Sequence, residues 1–204
     1  MPNTYRITRN QVLAAALRVA DSSGPTSITI RGIADDLDVT PMALYHHIRN
    51  RKDLMSGMVE HALAEVPDAG SRPGRWHDCL RSQFLNLRAF GHTHPRVVPL
   101  VLQHPRASPQ MRRLEEPGIQ AIVDAGVLPK HVIRAWAMVS TLQLGFVVRE
   151  ALGQFRNQSP GGADRDAAAV IALVDNYVTW VVTLPDQAHP RDYGTEWSPH
   201  WDDD

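Results

Sequence analysis

The chain has 204 residues, 43% hydrophobic and 21% charged, with a formal net charge of −1. That length supports one or two small domains with a core of their own, and that charge excludes recognition of a polyanion by bulk electrostatics alone. A single cysteine, Cys79, excludes an internal disulfide framework and favours a reducing, cytoplasmic setting.

Helical periodicity runs through the whole chain, and no segment shows the alternation of a strand, so the expected fold class is all-α. Thr8-Arg9-Asn10-Gln11 has the form of a capping box, with Ile7 and Val12 in the two staple positions. Leu13, Ala16, Leu17 and Ala20 then make one apolar stripe, and Asp21–Pro25 ends the helix. The apolar stretch Val12–Ala20 does not read as a signal peptide. Arg18 interrupts it and no small-residue cleavage site follows.

Thr29 caps a second helix whose buried stripe is Ile30, Ile33, Ala34 and Leu37. The chain must then bend at Asp38-Val39, and aspartate tolerates a left-handed backbone better than most residues. Thr40 caps a third helix with Pro41 at its first position. On a helical wheel Leu44 and Ile48 define the buried side. Met42, Ala43 and His46 lie opposite, with Tyr45 and His47 on the flanks. That outward face is small, apolar and aromatic, where a solvated helix would carry Glu and Lys. It suits contact with base edges and thymine methyls in a major groove. Asn50 caps Arg51-Lys52-Asp53, and a helix N-terminus beside cations binds phosphate.

Residues 67–74 form a Pro/Gly/Ser break, dividing a first domain, 1–66, from a second, 75–184, with a tail at 185–204. In the second domain helices are expected at 76–90, 95–103, 109–124, 129–155 and 167–184. A polar, Gly-containing loop is expected at 156–165. Cys79 lies among apolar helical residues and reads as core. The longest apolar run, Ala135–Val148, has 14 residues, short of the roughly 20 that span a bilayer, so no membrane partner is expected. The last two helices are apolar nearly all round. Burial against a second copy as a four-helix bundle, a homodimer, explains them better than burial within one chain. A pocket for a small-molecule effector is expected among the helices of 76–155. Its candidate lining is Gln83, Leu87, Val101, Leu102, His104, Met138, Leu142, Gln143 and Phe146.

Ten histidines raise the question of metal. His92 and His94 flank a helix break and read as solvated, so no metal and no cofactor are expected. A small helical enzyme or metal-binding protein using His92, His94 or Glu150 is the competing reading. No catalytic spacing, phosphate loop or nucleophile signature supports it.

The residues from Ile28 to Val39, followed by Ala43-Leu44-Tyr45-His46-His47-Ile48-Arg49-Asn50-Arg51-Lys52-Asp53-Leu54, resemble the DNA-binding region of the tetracycline-repressor (TetR) family. Trp76 and the run Leu144-Gly145-Phe146 with Glu150 resemble the regulatory domain of the tetracycline-repressor subgroup. The resemblance implies an N-terminal three-helix helix-turn-helix DNA-binding domain and a C-terminal helical ligand-binding and dimerisation domain. It implies a repressor released from a palindromic double-stranded DNA operator by a small molecule. By position, Thr29, Arg31, Tyr45, His47 and Arg51 are then expected on phosphates, with Thr40 and Lys52 beside them. Pro41, Met42 and Ala43 are expected near bases, with His46 added from the wheel. The groove-facing set lacks Arg, Asn and Gln, so sequence choice is expected to lean on van der Waals contacts and DNA shape.

Overall fold

A computed structural model describes residues 7–70, 75–105, 108–155 and 161–184, and among them it has nine α-helices and no strand. The predicted caps set the early helices. Helix α1 (Arg9–Ser23) opens on the complete Thr8/Gln11 capping box and buries Val12, Leu13, Ala16, Leu17 and Ala20. Helices α2 (Ile30–Asp36), α3 (Pro41–Tyr45) and α4 (Arg51–Leu63) start at Thr29, Thr40 and Asn50, whose side chains accept from Gly32 N, Ala43 N and Asp53 N.

The bend after α2 has a specific geometry. Asp38 has φ 52°, the one non-glycine with positive φ among the described residues. Its N–H donates to Asp35 O and the Val39 N–H reaches back to Ala34 O at 3.0 Å. This is the double bond pattern that closes a helix around a left-handed residue. Glycine is the usual occupant, and aspartate is among the few others that visit this region routinely.

The second half contains α5 (Trp76–Thr93), α6 (Val98–Val101), α7 (Pro109–Asp124), α8 (Pro129–Ala151) and α9 (Gly162–Thr183). Several boundaries depart from expectation. Helix α5 runs three residues past Phe90, and α6 is a single turn within the predicted 95–103. Helix α8 stops at Ala151, because Gly153, φ 71°, closes it: Gly153 N donates to Glu150 O and Gln154 N to Arg149 O. Helix α9 starts at Gly162, inside the expected loop. The predicted tail, 185–204, lies outside the described residues, as does 156–160 of the predicted loop.

One apolar cluster runs from Leu13, Leu44, Met58 and Leu63 of the first half into Phe84, Phe90, Val97, Val98 and Val147 of the second. A second cluster packs Cys79, Leu80, Ile122, Trp136, Val139 and Val178 together. Cys79 is buried, as expected of core, and burial pushes its thiol pKa up. Helices α5 and α8 approach closely at Gly91, where a Cβ would sit 2.5 Å from Val147 Cγ1. Arg88 of α5 locks the same layer. Its Nε and Nη2 donate to Glu150 of α8 at 2.7–3.1 Å, and Nη2 also reaches Asp164 of α9 at 2.7 Å. These bonds hold the guanidinium protonated beyond its ordinary range.

Helices α8 and α9, 23 and 22 residues long, are long and apolar enough by length and composition alone to cross a bilayer, so the 14-residue run understates them. Here α8 is seated among α5, α7 and α9, with Gln143 buried and donating to Leu80 O at 3.2 Å. Their outer faces are bare in the single chain. Met138 of α8 is 60% exposed, and Leu173 and Trp180 of α9 are 56% and 57% exposed.

Candidate nucleic-acid interface and cavity

Three capped N-termini, those of α2, α3 and α4, follow one another in the first half. Thr29, Arg31, Thr40, Pro41, Met42, Tyr45, His46, Arg51 and Lys52 are all exposed there, and Ala43 and His47 are half-buried. Met42 is 70% exposed and Tyr45 53%, while Leu44 and Ile48 are fully buried. The wheel therefore has the right inner and outer sides. It assumed too long a helix, however. Helix α3 ends at Tyr45, and His46 and His47 lie in the turn that follows.

Long-range polar ties hold α3 in place. Arg9 of α1 donates to the His47 carbonyl and pairs with Asp53 of α4, at 2.6 Å for the closer contact. The Arg49 N–H donates to the other Asp53 oxygen at 2.8 Å. The Arg9 hydrogen bond, with help from Arg49, holds the Asp53 carboxyl below its ordinary value of 3.8. A carboxylate with a depressed pKa stabilises the fold above the ordinary carboxylate range, and that contribution disappears as the pH falls through its folded pKa. Asp53→Asn is therefore expected to cost about 1 kcal/mol at pH 7. Thermal melts across pH should show the gap between the two proteins closing in acid. A gap that persists unchanged there would rule out this role.

Arg51, expected on a phosphate, also has partners within the protein. It is tied to the protein, donating to Ile28 O at 2.5 Å and Pro25 O at 3.3 Å. It buttresses the entry to α2 from the start of α4, so a phosphate would have to share it with these carbonyls. Gly32 also has a role that its position in mid-helix does not reveal. A Cβ there would come 2.9 Å from Thr29 Oγ1, the cap of the same helix.

A cavity of about 220 Å³, partly open to solvent, lies among α5, α6, α7 and α8, with Leu63 of α4 and residues 66–69 completing its wall. Gln83, Leu87, Val101, Leu102, His104 and Gln143 line it as expected. Met138 and Leu142 do not. They point outward, 60% and 39% exposed. Phe146 is buried beside the cavity, edge-on to Phe84 at 5.6 Å and stacked on Phe155 at 5.1 Å. The face of α8 that reaches the cavity is instead Trp136, Ser140, Gln143 and Leu144. Helix α8 is apolar on both sides, so hydrophobicity alone leaves its rotation undetermined.

The cavity wall is wired to α4. His104 Nε2–H donates to Glu60 Oε2 at 2.8 Å, and the first-turn N–H of Gln110 in α7 donates to Glu60 Oε1 at 2.7 Å. Burial opposes ionisation of Glu60 most, but the hydrogen bonds from Gln110, His104 and Ser108 together hold its pKa below 4.5. Arg113 of α7 donates to Leu63 O and Val66 O, at 2.9 and 3.0 Å, where α4 ends. Nearby, His94 is 5% exposed, its two ring nitrogens facing Asp21 Oδ2 and Glu65 Oε2. His94 thus belongs to the joint between the halves. Glu150 is committed to Arg88, with exposed His92 3.6 Å away. Among the described residues no group of three or more His, Cys, Asp or Glu is placed to hold a metal ion.

No protein-family model matches the chain. It is 25% identical over 198 residues to an HTH-type transcriptional regulator of Saccharopolyspora erythraea, covering 96% of this chain and 80% of that one. It is 27% identical over 155 residues to the class E tetracycline repressor of Escherichia coli, covering 74% and 73%. Among solved structures, apo ActR from Streptomyces coelicolor superposes with a TM-score of 0.76 at 16% identity, over 88% of this chain and 98% of that one. BioQ from Mycobacterium smegmatis gives 0.69 at 27% identity, over 86% and 99%.

Proposed function

Because the chain belongs to the tetracycline-repressor family of helix-turn-helix regulators, we propose that it is a homodimeric repressor that leaves a palindromic operator when a small molecule fills the second-half cavity. The observation that carries this is the physical link between cavity and reading head. His104 and Arg113 line the cavity and hold the C-terminal half of α4, and the other end of α4 is pinned to α3 through Asp53, Arg9 and the His47 carbonyl. A ligand pressing on α6 or α7 therefore acts on α4, and α4 sets where α3 lies. Ligands shift such an equilibrium only by binding one arrangement better than the other.

In this reading Pro41, Met42 and Ala43 meet base edges, with His46 beside them. Thr29, Arg31, Thr40, Tyr45, His47 and Lys52 meet phosphates and Arg51 supports them. Two copies pair through the exposed faces of α8 and α9, so that apolar surface is covered by protein, in keeping with a soluble cytoplasmic regulator. Regulation, not catalysis, is its work. Selection of bound duplexes from a random pool tests the reading: an enriched inverted repeat supports it, and an unenriched pool refutes it.

A further inference from the structure

The cavity wall holds a cation to which the protein gives no counter-charge. Arg113 is half-buried, and its hydrogen-bond partners among the described residues are all neutral. Gln110 Oε1 accepts from its Nε at 2.6 Å, and Leu63 O and Val66 O accept from one terminal nitrogen, Nη2, at 2.9 and 3.0 Å. Leu63 and Val66 line the cavity too, which puts the charged end of Arg113 at the wall and not its stem alone. By contrast Arg9, Arg18 and Arg88 each pair with a carboxylate, and Arg88, also half-buried, has two. A charge withdrawn from water is costly unless it is paired.

The other polar groups of the wall do not supply that pairing. His104 and Glu60 satisfy each other. Asp68 is exposed to water, and its Oδ1 accepts from Gly70 N. Glu115 has a partner of its own. Asn86, Ser140 and Gln143 are neutral and donate to the carbonyls of Pro67, Ala137 and Leu80. Much of the remaining wall is apolar, with Leu87, Val101, Met111 and Leu144 among its residues. An apolar cavity of about 150 Å³ takes up benzene, so about 220 Å³ suits two fused rings. The hydrogens of Arg113 then decide how an acid would bind. A carboxylate prefers to grip a guanidinium through two nitrogens, and both edges that offer two nitrogens include Nη2. Both Nη2 hydrogens are given to carbonyls at the end of α4, so a two-nitrogen grip takes one of them away.

We propose that the cavity takes a compact amphipathic carboxylic acid, whose carboxylate pairs with Arg113 and competes for it with the carbonyls of Leu63 and Val66. This rests on the reading of the cavity as the effector site, and names the ligand class and the contact it breaks. The acid that gives the cation its partner thereby loosens the end of α4. A neutral molecule of the same shape makes the apolar contacts, but it leaves the charge unpaired and those two hydrogen bonds in place.

Calorimetric titration of the full-length protein, without DNA, tests this with 2-naphthoate and 2-naphthamide, two probes of one shape that differ in charge. The naphthoate should bind about tenfold more tightly, the advantage of a charge-assisted pair over a neutral hydrogen bond. Arg113→Gln should abolish that preference while leaving naphthamide affinity within about threefold of the wild type. A side chain that merely braced the wall would affect both probes alike. The wild-type comparison decides by itself if Arg113→Gln does not fold. No naphthoate binding, equal or tighter binding of naphthamide, or a preference that survives Arg113→Gln would overturn the proposal. Release of selected operator DNA is measured separately. Naphthoate that binds through Arg113 without releasing the operator sinks the effector reading and leaves the acid site standing. Release by naphthamide as readily as by naphthoate keeps the effector reading and overturns the role given to Arg113.

Discussion

Placing glutamate at both Met138 and Leu173 should turn the protein into a folded monomer and reduce operator affinity at least a hundredfold. Both side chains are more than half exposed in the single chain, so the change removes no internal packing. Met138 and Leu142 share the outer side of α8. On α9, Leu173 and Trp180 are seven residues apart, two turns along one stripe that also contains Ala169 and Asn176. Contiguous apolar faces of this kind on two adjacent helices are the usual raw material of a homodimer interface. Four buried glutamates per dimer, facing one another across a two-fold axis, would each have to be desolvated beside like charge. A palindromic site then loses the benefit of two tethered half-site contacts, which is worth two or more orders of magnitude. Sedimentation velocity and a binding isotherm check the two parts together. A double variant that stays dimeric, or a monomer that binds as tightly as the wild type, would remove the proposed interface.

The second large effect is that of salt. Arg31 and Lys52 are exposed, and exposed Arg49 adds to them a third cation available to phosphate. Three such charges per half-site, six per dimer, predict a log–log slope of about −5 for affinity against salt. Between 50 and 200 mM salt, that is a loss on the order of a thousandfold. The substitutions should then separate by mechanism. Arg31→Ala should flatten the slope by about two, one released counterion per half-site. Tyr45→Ala should weaken binding to every sequence while leaving the slope unchanged, because its hydroxyl is neutral. Met42→Ala should alter which sequences are preferred, since its exposed thioether is placed for van der Waals contact with bases. A flat salt response, or a Tyr45→Ala protein with full affinity, would contradict this assignment.

Features encoded by neighbouring residues are legible in the sequence. The caps at Thr8, Thr29, Thr40 and Asn50 all form, because a cap is a contact over three residues. The left-handed bend at Asp38 is of the same kind. What distant residues decide was not legible. Nothing near Arg9 announces Asp53, and nothing near Arg51 announces the carbonyls of Pro25 and Ile28. Met138 and Leu142 fell on the wrong side of α8 for a related reason. One face of that helix is covered by its own chain and the other is apolar too, so its pattern carries two answers. The polar wiring of His104, Glu60 and Arg113 needs the third dimension, because each bond spans more than forty residues.

The apolar cluster that passes from Met58 and Leu63 into Phe84, Val97 and Val98 has a consequence for how the protein comes apart. Severing the chain near residue 70 would bare the inner side of α4 and strip the first half of much of its shielding. The reading head is therefore not a detachable module, and heat should melt reader and sensor in one cooperative step. Whatever tightens the sensor against water also holds the reader in shape, so losses of fold and of DNA binding should arrive at the same temperature.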